Sequence, residues 1–130
     1  MYNKEIVVEI IEQILEALKI IKRRSENINS PDDFSNSDNG SDMLDAICMQ
    51  LIAVGESIKN IDKISNGKLL TNYPEIDWKG IKGVRDIISH HYFDLDAEEI
   101  YNICNNNIVP LAEALIKIKE EIQEKSRNER

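Results

Sequence analysis

Two long apolar seams constrain this chain more than anything else in it. Val7, Ile11, Ile14, Leu18 and Ile21 recur at spacings of four and three, and Leu44, Ile47, Leu51, Val54, Ile58 and Ile61 repeat the pattern. That period gathers apolar side chains onto one stripe of an α-helix and scatters them over both faces of a strand. The first seam predicts a helix over about 3–24, and Ile6, Ile10 and Ala17 widen it enough to face more than one neighbour. Lys22, Arg23 and Arg24 at its end suit the negative pole of a helix dipole. The second seam predicts a helix over about 41–64. Gly55 sits in its middle, where glycine costs roughly 1 kcal/mol against alanine. Close approach of another helix is the expected compensation, with a ligand contact as the alternative.

The remaining elements follow from caps and breakers. Residues 25–40 are rich in Ser, Asn and Asp, and within them Ser30-Pro31-Asp32-Asp33-Phe34 has the marks of a short helical turn, with Phe34 pinning the loop onto the bundle. After Asn66-Gly67 and Tyr73-Pro74, Asp77 reads as the cap of a third helix from about Trp78. Asp96-Ala97-Glu98-Glu99 repeats the capping pattern and opens a fourth, carrying Ile100, Ile103 and Cys104. Pro110 should break or kink it before Leu111, Leu115, Ile118 and Ile122 continue the apolar pattern. No useful β alternation and no internal repeat occurs. The expected fold is all-α, an up-and-down bundle of four main helices or five pieces. It forms one domain over 1–130, with its core at about 4–119 and a charged tail, 120–130, whose last eight residues should fray.

Composition narrows the class. A chain of 130 residues, 42% hydrophobic, can bury a core without metal or disulfide staples. No apolar run approaches the roughly 18 residues that span a bilayer. The start, Met1-Tyr2-Asn3-Lys4-Glu5, lacks the features of a signal peptide, so the cytoplasm is the expected location and no membrane partner is expected. Cys48 and Cys104, far apart in sequence, read as two buried thiols rather than a metal-binding pair, and nothing calls for a metal or a cofactor. A net charge of −8 argues against a generic nucleic-acid coat protein. It leaves room for a local site: Lys79, Lys82 and Arg85 crowd one helix, while Asp32, Asp33, Asp38, Asp42 and the acids of the tail lie elsewhere. On charge alone, a solvated helix face is the commoner meaning of three such cations.

Both histidines lie within Arg85-Asp86-Ile87-Ile88-Ser89-His90-His91-Tyr92, the only place where a side chain can move protons near neutral pH. On a helical wheel at about 100° per residue, Ile81, Val84 and Ile88 form the buried stripe, His91 continues it, and Arg85 and Tyr92 share its edge. His90 falls roughly 140° from Arg85 by the same count. The two meet only if the helix ends near Ser89 or if two copies of the segment face each other across a twofold axis. Each residue has a structural alternative: a surface ion pair for Arg85, a core histidine for His91, a plug at the helix end for Tyr92 and Phe93.

The spacing R-x-x-x-x-H-x-Y, filled by Arg85, His90 and Tyr92, resembles the signature of the HEPN superfamily, specifically its HepT-like branch. Ser30-Pro31-Asp32-Asp33-Phe34, Leu44-Asp45-Ala46-Ile47, Gly55-Glu56, Asp77-Trp78 and Gly83-Val84-Arg85-Asp86 also resemble the family pattern, over roughly residues 4–119. The resemblance implies a helical homodimer acting as the toxin of a toxin–antitoxin module, a metal-independent endoribonuclease whose paired motifs line a cleft between subunits. Carried over by position, Arg85 and His90 are the catalytic pair and Asp86 the supporting polar residue. Tyr92 is the tyrosine to which a minimal nucleotidyltransferase, the antitoxin, adds AMP. Two rival expectations stand beside this one. In the first, a non-catalytic helical module docks a nucleotidyltransferase and binds nucleotide or RNA; in the second, the dimer is purely structural.

Overall fold

The computed structural model describes residues 2–90 and 96–128, with His90 described by its place in a helix alone. The described residues form six α-helices and two 3₁₀ turns, with no strand. They are α1 (Lys4–Ser25), α2 (Asp38–Ile64), α3 (Trp78–Lys82), α4 (Val84–His90), α5 (Ala97–Asn106) and α6 (Ile108–Asn128). The fold is all-α, as the apolar periods require. Among the described residues, no helix is long and apolar enough to cross a membrane.

The two seams form the centre. Val7, Ile11, Ile14, Leu18 and Ile21 of α1 are buried, as are Ile47, Leu51, Val54, Ile58 and Ile61 of α2. Of the residues that widen the first seam, Ile10 joins the core and Ile6 stays exposed. Helix α1 packs between α2 and α6, and α2 carries α3 and α4 on another side. The loop between α1 and α2 folds as expected. Pro31–Phe34 is a 3₁₀ turn and Phe34 is 1% exposed, although the Ser30 side chain makes no capping bond.

Four boundaries differ from the sequence expectation, each for a local reason. Helix α2 begins at Asp38 rather than near Ser41, because the Ser37 hydroxyl accepts from the Gly40 N–H at 3.0 Å. Gly40 reads as a loop residue, yet it is needed inside this turn: a Cβ there would lie 1.9 Å from the Asp33 carbonyl oxygen. The single third helix is two, since the Gly83 N–H closes α3 onto the carbonyls of Lys79 and Gly80 before the chain turns into α4. The break before α6 falls at Asn107, three residues ahead of Pro110, and the proline sits in the first turn of the new helix, where its missing N–H has no partner to lose. Finally, α6 continues to Asn128. Ile122 is buried, and Glu121 accepts a hydrogen bond from the Tyr73 hydroxyl, which anchors the helix just ahead of the last eight residues, the stretch that charge pattern alone predicts to fray. Burial first, and the Glu121 carboxylate second, push the Tyr73 hydroxyl well above its ordinary pKa. Trp78 donates its indole N–H to the Tyr73 carbonyl at 2.9 Å, so one small knot joins the start of α3 to the far end of α6.

Cys48 and Cys104 are distant in sequence, but Cys104 lies close enough to raise the Cys48 thiol; Cys48 is buried and Cys104 half-buried. Burial pushes both thiols up to about 11, with Asp45 adding to the effect at Cys48 and a bond to Ser25 opposing it at Cys104. Relative to an ordinary value of 9.0, the thiolate fraction near pH 8 falls about 100-fold. Folded protein is therefore expected to react with a thiol reagent at pH 8 at least about 100-fold more slowly than protein in denaturant. Equal rates would contradict the buried placement.

Candidate active site on the α2–α4 face

The site begins with how α4 is held. Asp77 caps α3 by accepting from the Gly80 N–H at 3.0 Å, and Gly83 ends that helix after five residues. Helix α4 then starts at Val84, with Val84 and Ile88 buried on one side. Gly55 of α2 receives this joint. A Cβ at Gly55 would lie 2.8 Å from the Ile81 carbonyl oxygen and 3.0 Å from Val84 Cγ1. The helix crossing expected of this glycine is present, and it places α2 directly beneath the residue after Val84.

That residue is Arg85. Its side chain is 56% exposed, and Nη1 donates to Glu56 Oε1, the residue after Gly55 on α2. Lys59 stands 3.4 Å from the other carboxylate oxygen. The Arg85 hydrogen bond first, with Lys59 adding to it, holds the Glu56 carboxyl below the usual carboxylate range against the opposing effect of desolvation. Among the described residues Glu56 is the sole hydrogen-bond partner of the guanidinium, which engages one nitrogen and leaves the other donors available. A guanidinium oriented at one end and open at the other suits a phosphate oxyanion.

Asp86 follows Arg85 on α4, exposed in the first turn. The helix is unbroken from Val84 to His90. Positions 85 and 90 therefore both lie within it and stand about 140° apart around one axis. Position 90 lies one turn beyond Ile87, an exposed isoleucine that lines an apolar groove between α3–α4 and α5–α6. The His90 side chain, His91 and the AMP acceptor inferred from the resemblance, Tyr92, lie outside the described residues. No group of three or more His, Cys, Asp or Glu side chains is arranged to hold a metal ion among the described residues.

Glu56 enters the sequence reading only as part of the Gly55-Glu56 family pattern, with no role given to it, because it lies 29 positions from the arginine it meets. The signal available was its neighbour: a glycine in mid-helix marks where another helix comes close, and the residue beside it meets whatever that helix carries.

Comparison with known proteins places this geometry in a lineage. A protein of Methanocaldococcus jannaschii named gamma-glutamylcyclotransferase and putative RNase MJ0434 is 29% identical over 118 residues, covering 91% of this chain. The chain spans 50% of that relative's length. Putative RNase MJ0127 of the same organism is 30% identical over 89 residues, covering 64% of this chain and 70% of the relative. No solved structure matches the chain at a significant level. The profile of the Ribonuclease HepT-like family matches residues 14–118, taking in α2, the α3–α4 joint and the whole Arg85–Tyr92 stretch. The chain belongs to the Ribonuclease HepT-like family.

Proposed function

We propose that this protein is the toxin of a two-component toxin–antitoxin module, a homodimeric endoribonuclease that cleaves RNA without a metal ion. The observation that carries this reading is the family match across Arg85, His90 and Tyr92. The exposed, Glu56-oriented guanidinium of Arg85 supports it.

The chemistry needs the ribose 2′-OH activated and the departing 5′-oxygen protonated. A histidine, with a reference pKa of about 6.5, does either near neutral pH. Arg85 supplies fixed positive charge where the phosphorane gathers negative charge. The product is then a 2′,3′-cyclic phosphate. Because positions 85 and 90 face different sides of α4, a second copy completes the site, Arg85 of one subunit working with the histidine at position 90 of the other. Asp86 supports the pair. A minimal nucleotidyltransferase antitoxin adds AMP to Tyr92, placing negative phosphate and bulk beside the RNA path and repelling a polyanionic substrate.

Unmodified protein should cut RNA in EDTA and leave cyclic-phosphate ends, and protein co-expressed with its nucleotidyltransferase should gain mass in AMP-sized steps at Tyr92. Cutting that stops in EDTA would refute the mechanism, and an unmodified Tyr92 in the presence of partner and ATP would refute the regulation. The net charge of −8 favours a second reading, a non-catalytic module that docks the nucleotidyltransferase. Toxicity on expression alone, lost in Arg85→Ala, decides for the enzyme.

A further inference from the structure

Glu56, Lys59 and Lys63 follow one another along α2 at spacings of three and four, and so share one side of that helix. The α3–α4 segment runs back along the same side: Arg85 reaches Glu56, and Lys82 reaches Asp62 at 2.7 Å. Lys82 and Arg85 thus meet α2 in reverse order, and Lys79 lies one turn before Lys82 on α3.

The acids on this face are already engaged. Glu56 holds Arg85 and Lys59, and Asp62 holds Lys82. Asp77, at the start of α3, is turned to its own helix and accepts from the Gly80 N–H. Asp86 is the remaining exposed acid beside Arg85. Lys63 and Lys79 are exposed and have no acid partner among the described residues. With Lys59, Lys63, Lys79, Lys82 and Arg85 against Glu56, Asp62, Asp77 and Asp86, the face carries five cations to four acids, a small positive excess in a chain of net charge −8, and it leads to the arginine the ribonuclease reading uses. In an acidic protein a local strip confines a polyanion to one track, because the rest of the surface repels it.

We propose that Lys63 and Lys79, which have no acid partner among the described residues, flanked by the ion-paired Lys59 and Lys82, form a phosphate-binding track that receives single-stranded RNA and delivers it to Arg85. The proposal rests on the ribonuclease reading above and names where the substrate backbone lies. Each lysine contacts phosphate and carries no base preference, so the track sets affinity and leaves sequence choice to the cleft.

The test uses full-length protein carrying His90→Ala, so that RNA is bound and not consumed. Binding of a short fluorescent single-stranded RNA is measured across a salt series, with and without Lys63→Gln and Lys79→Gln. Two lost phosphate contacts should lower the slope of log affinity against log salt by about 1.4, at about 0.7 per contact for single strands. The pair Lys19→Gln and Lys125→Gln, on α1 and α6, should leave the slope unchanged. In the active background, Lys63→Gln with Lys79→Gln should slow cleavage of the same RNA at sub-saturating concentration. It should spare a dinucleotide, whose single bridging phosphate is taken by Arg85. An unchanged slope in the Lys63/Lys79 pair, or an equal drop in the control pair, overturns the track while cleavage by the parent protein remains. Absence of cleavage by the parent protein overturns the ribonuclease reading itself.

Discussion

Arg85→Ala is expected to lower single-turnover RNA cleavage by about 10²–10³-fold, the loss typical of removing one donor that stabilises transition-state charge. His90→Ala should cost about 10²–10⁴-fold, as removal of a general acid–base group does. Both variants should stay folded. The Arg85 side chain is more than half exposed, and its ion pair with Glu56 is a solvent-screened surface one that contributes little to folding. Arg85→Lys should rescue poorly, because an ammonium cannot hold Glu56 with one nitrogen and present a second, planar pair of donors to a phosphate. Cleavage rates and thermal melting on the same samples check both halves of the expectation. Arg85→Ala that melts normally and cuts normally would remove Arg85 from the chemistry.

The second large effect is expected at Gly55, and its sign is the informative part. In an open helix, Gly→Ala stabilises by about 1 kcal/mol. Here the new methyl would sit 2.8 Å from a backbone carbonyl oxygen, that of Ile81, and 3.0 Å from Val84 Cγ1. A carbonyl in a helix cannot rotate away as a flexible side chain can, so the α3–α4 joint itself must move. Overpacking of this kind costs about 1–3 kcal/mol, which outweighs the propensity gain. Gly55→Ala should therefore be destabilised in denaturant titration by about 1 kcal/mol, and Gly55→Val by more. Activity should fall further than stability does, because the displaced joint carries Arg85 away from Glu56. A Gly55→Ala protein more stable than the parent would show that the helices do not meet there.

The parts of this molecule legible in the sequence are those set by short-range physics. Apolar spacing marked α1 and α2, and single caps marked the starts of α3 and α5 at Asp77 and Asp96, where the structure shows their carboxylates accepting the expected backbone N–H groups. What escaped were outcomes of tertiary contact. Gly40 reads as a turn until Asp33 is seen packed against it. The α3–α4 break at Gly83 leaves the apolar stripe of Val84 and Ile88 intact, so periodicity alone passes over it. The end of α6 looks like a free charged tail until Tyr73 is found bonded to Glu121, 48 positions away. The site divides the same way. Arg85 and position 90 are candidates from the motif spacing, whereas the carboxylate that meets Arg85 lies on another helix, and its contact is set by the packing at Gly55.

The proposed assembly of Arg85 and His90 from two subunits is tested most directly by pairing two inactive proteins. Arg85→Ala and His90→Ala chains, each with its own affinity tag, are co-expressed, and the mixed dimers are isolated through both tags in succession. If each site takes its arginine from one subunit and its histidine from the other, the mixed dimer retains one intact pair of two. It should cut RNA at about half the parental rate, while both parent homodimers stay inactive. Mixed dimers that form and remain as inactive as their parents would show that the two residues work within a single chain.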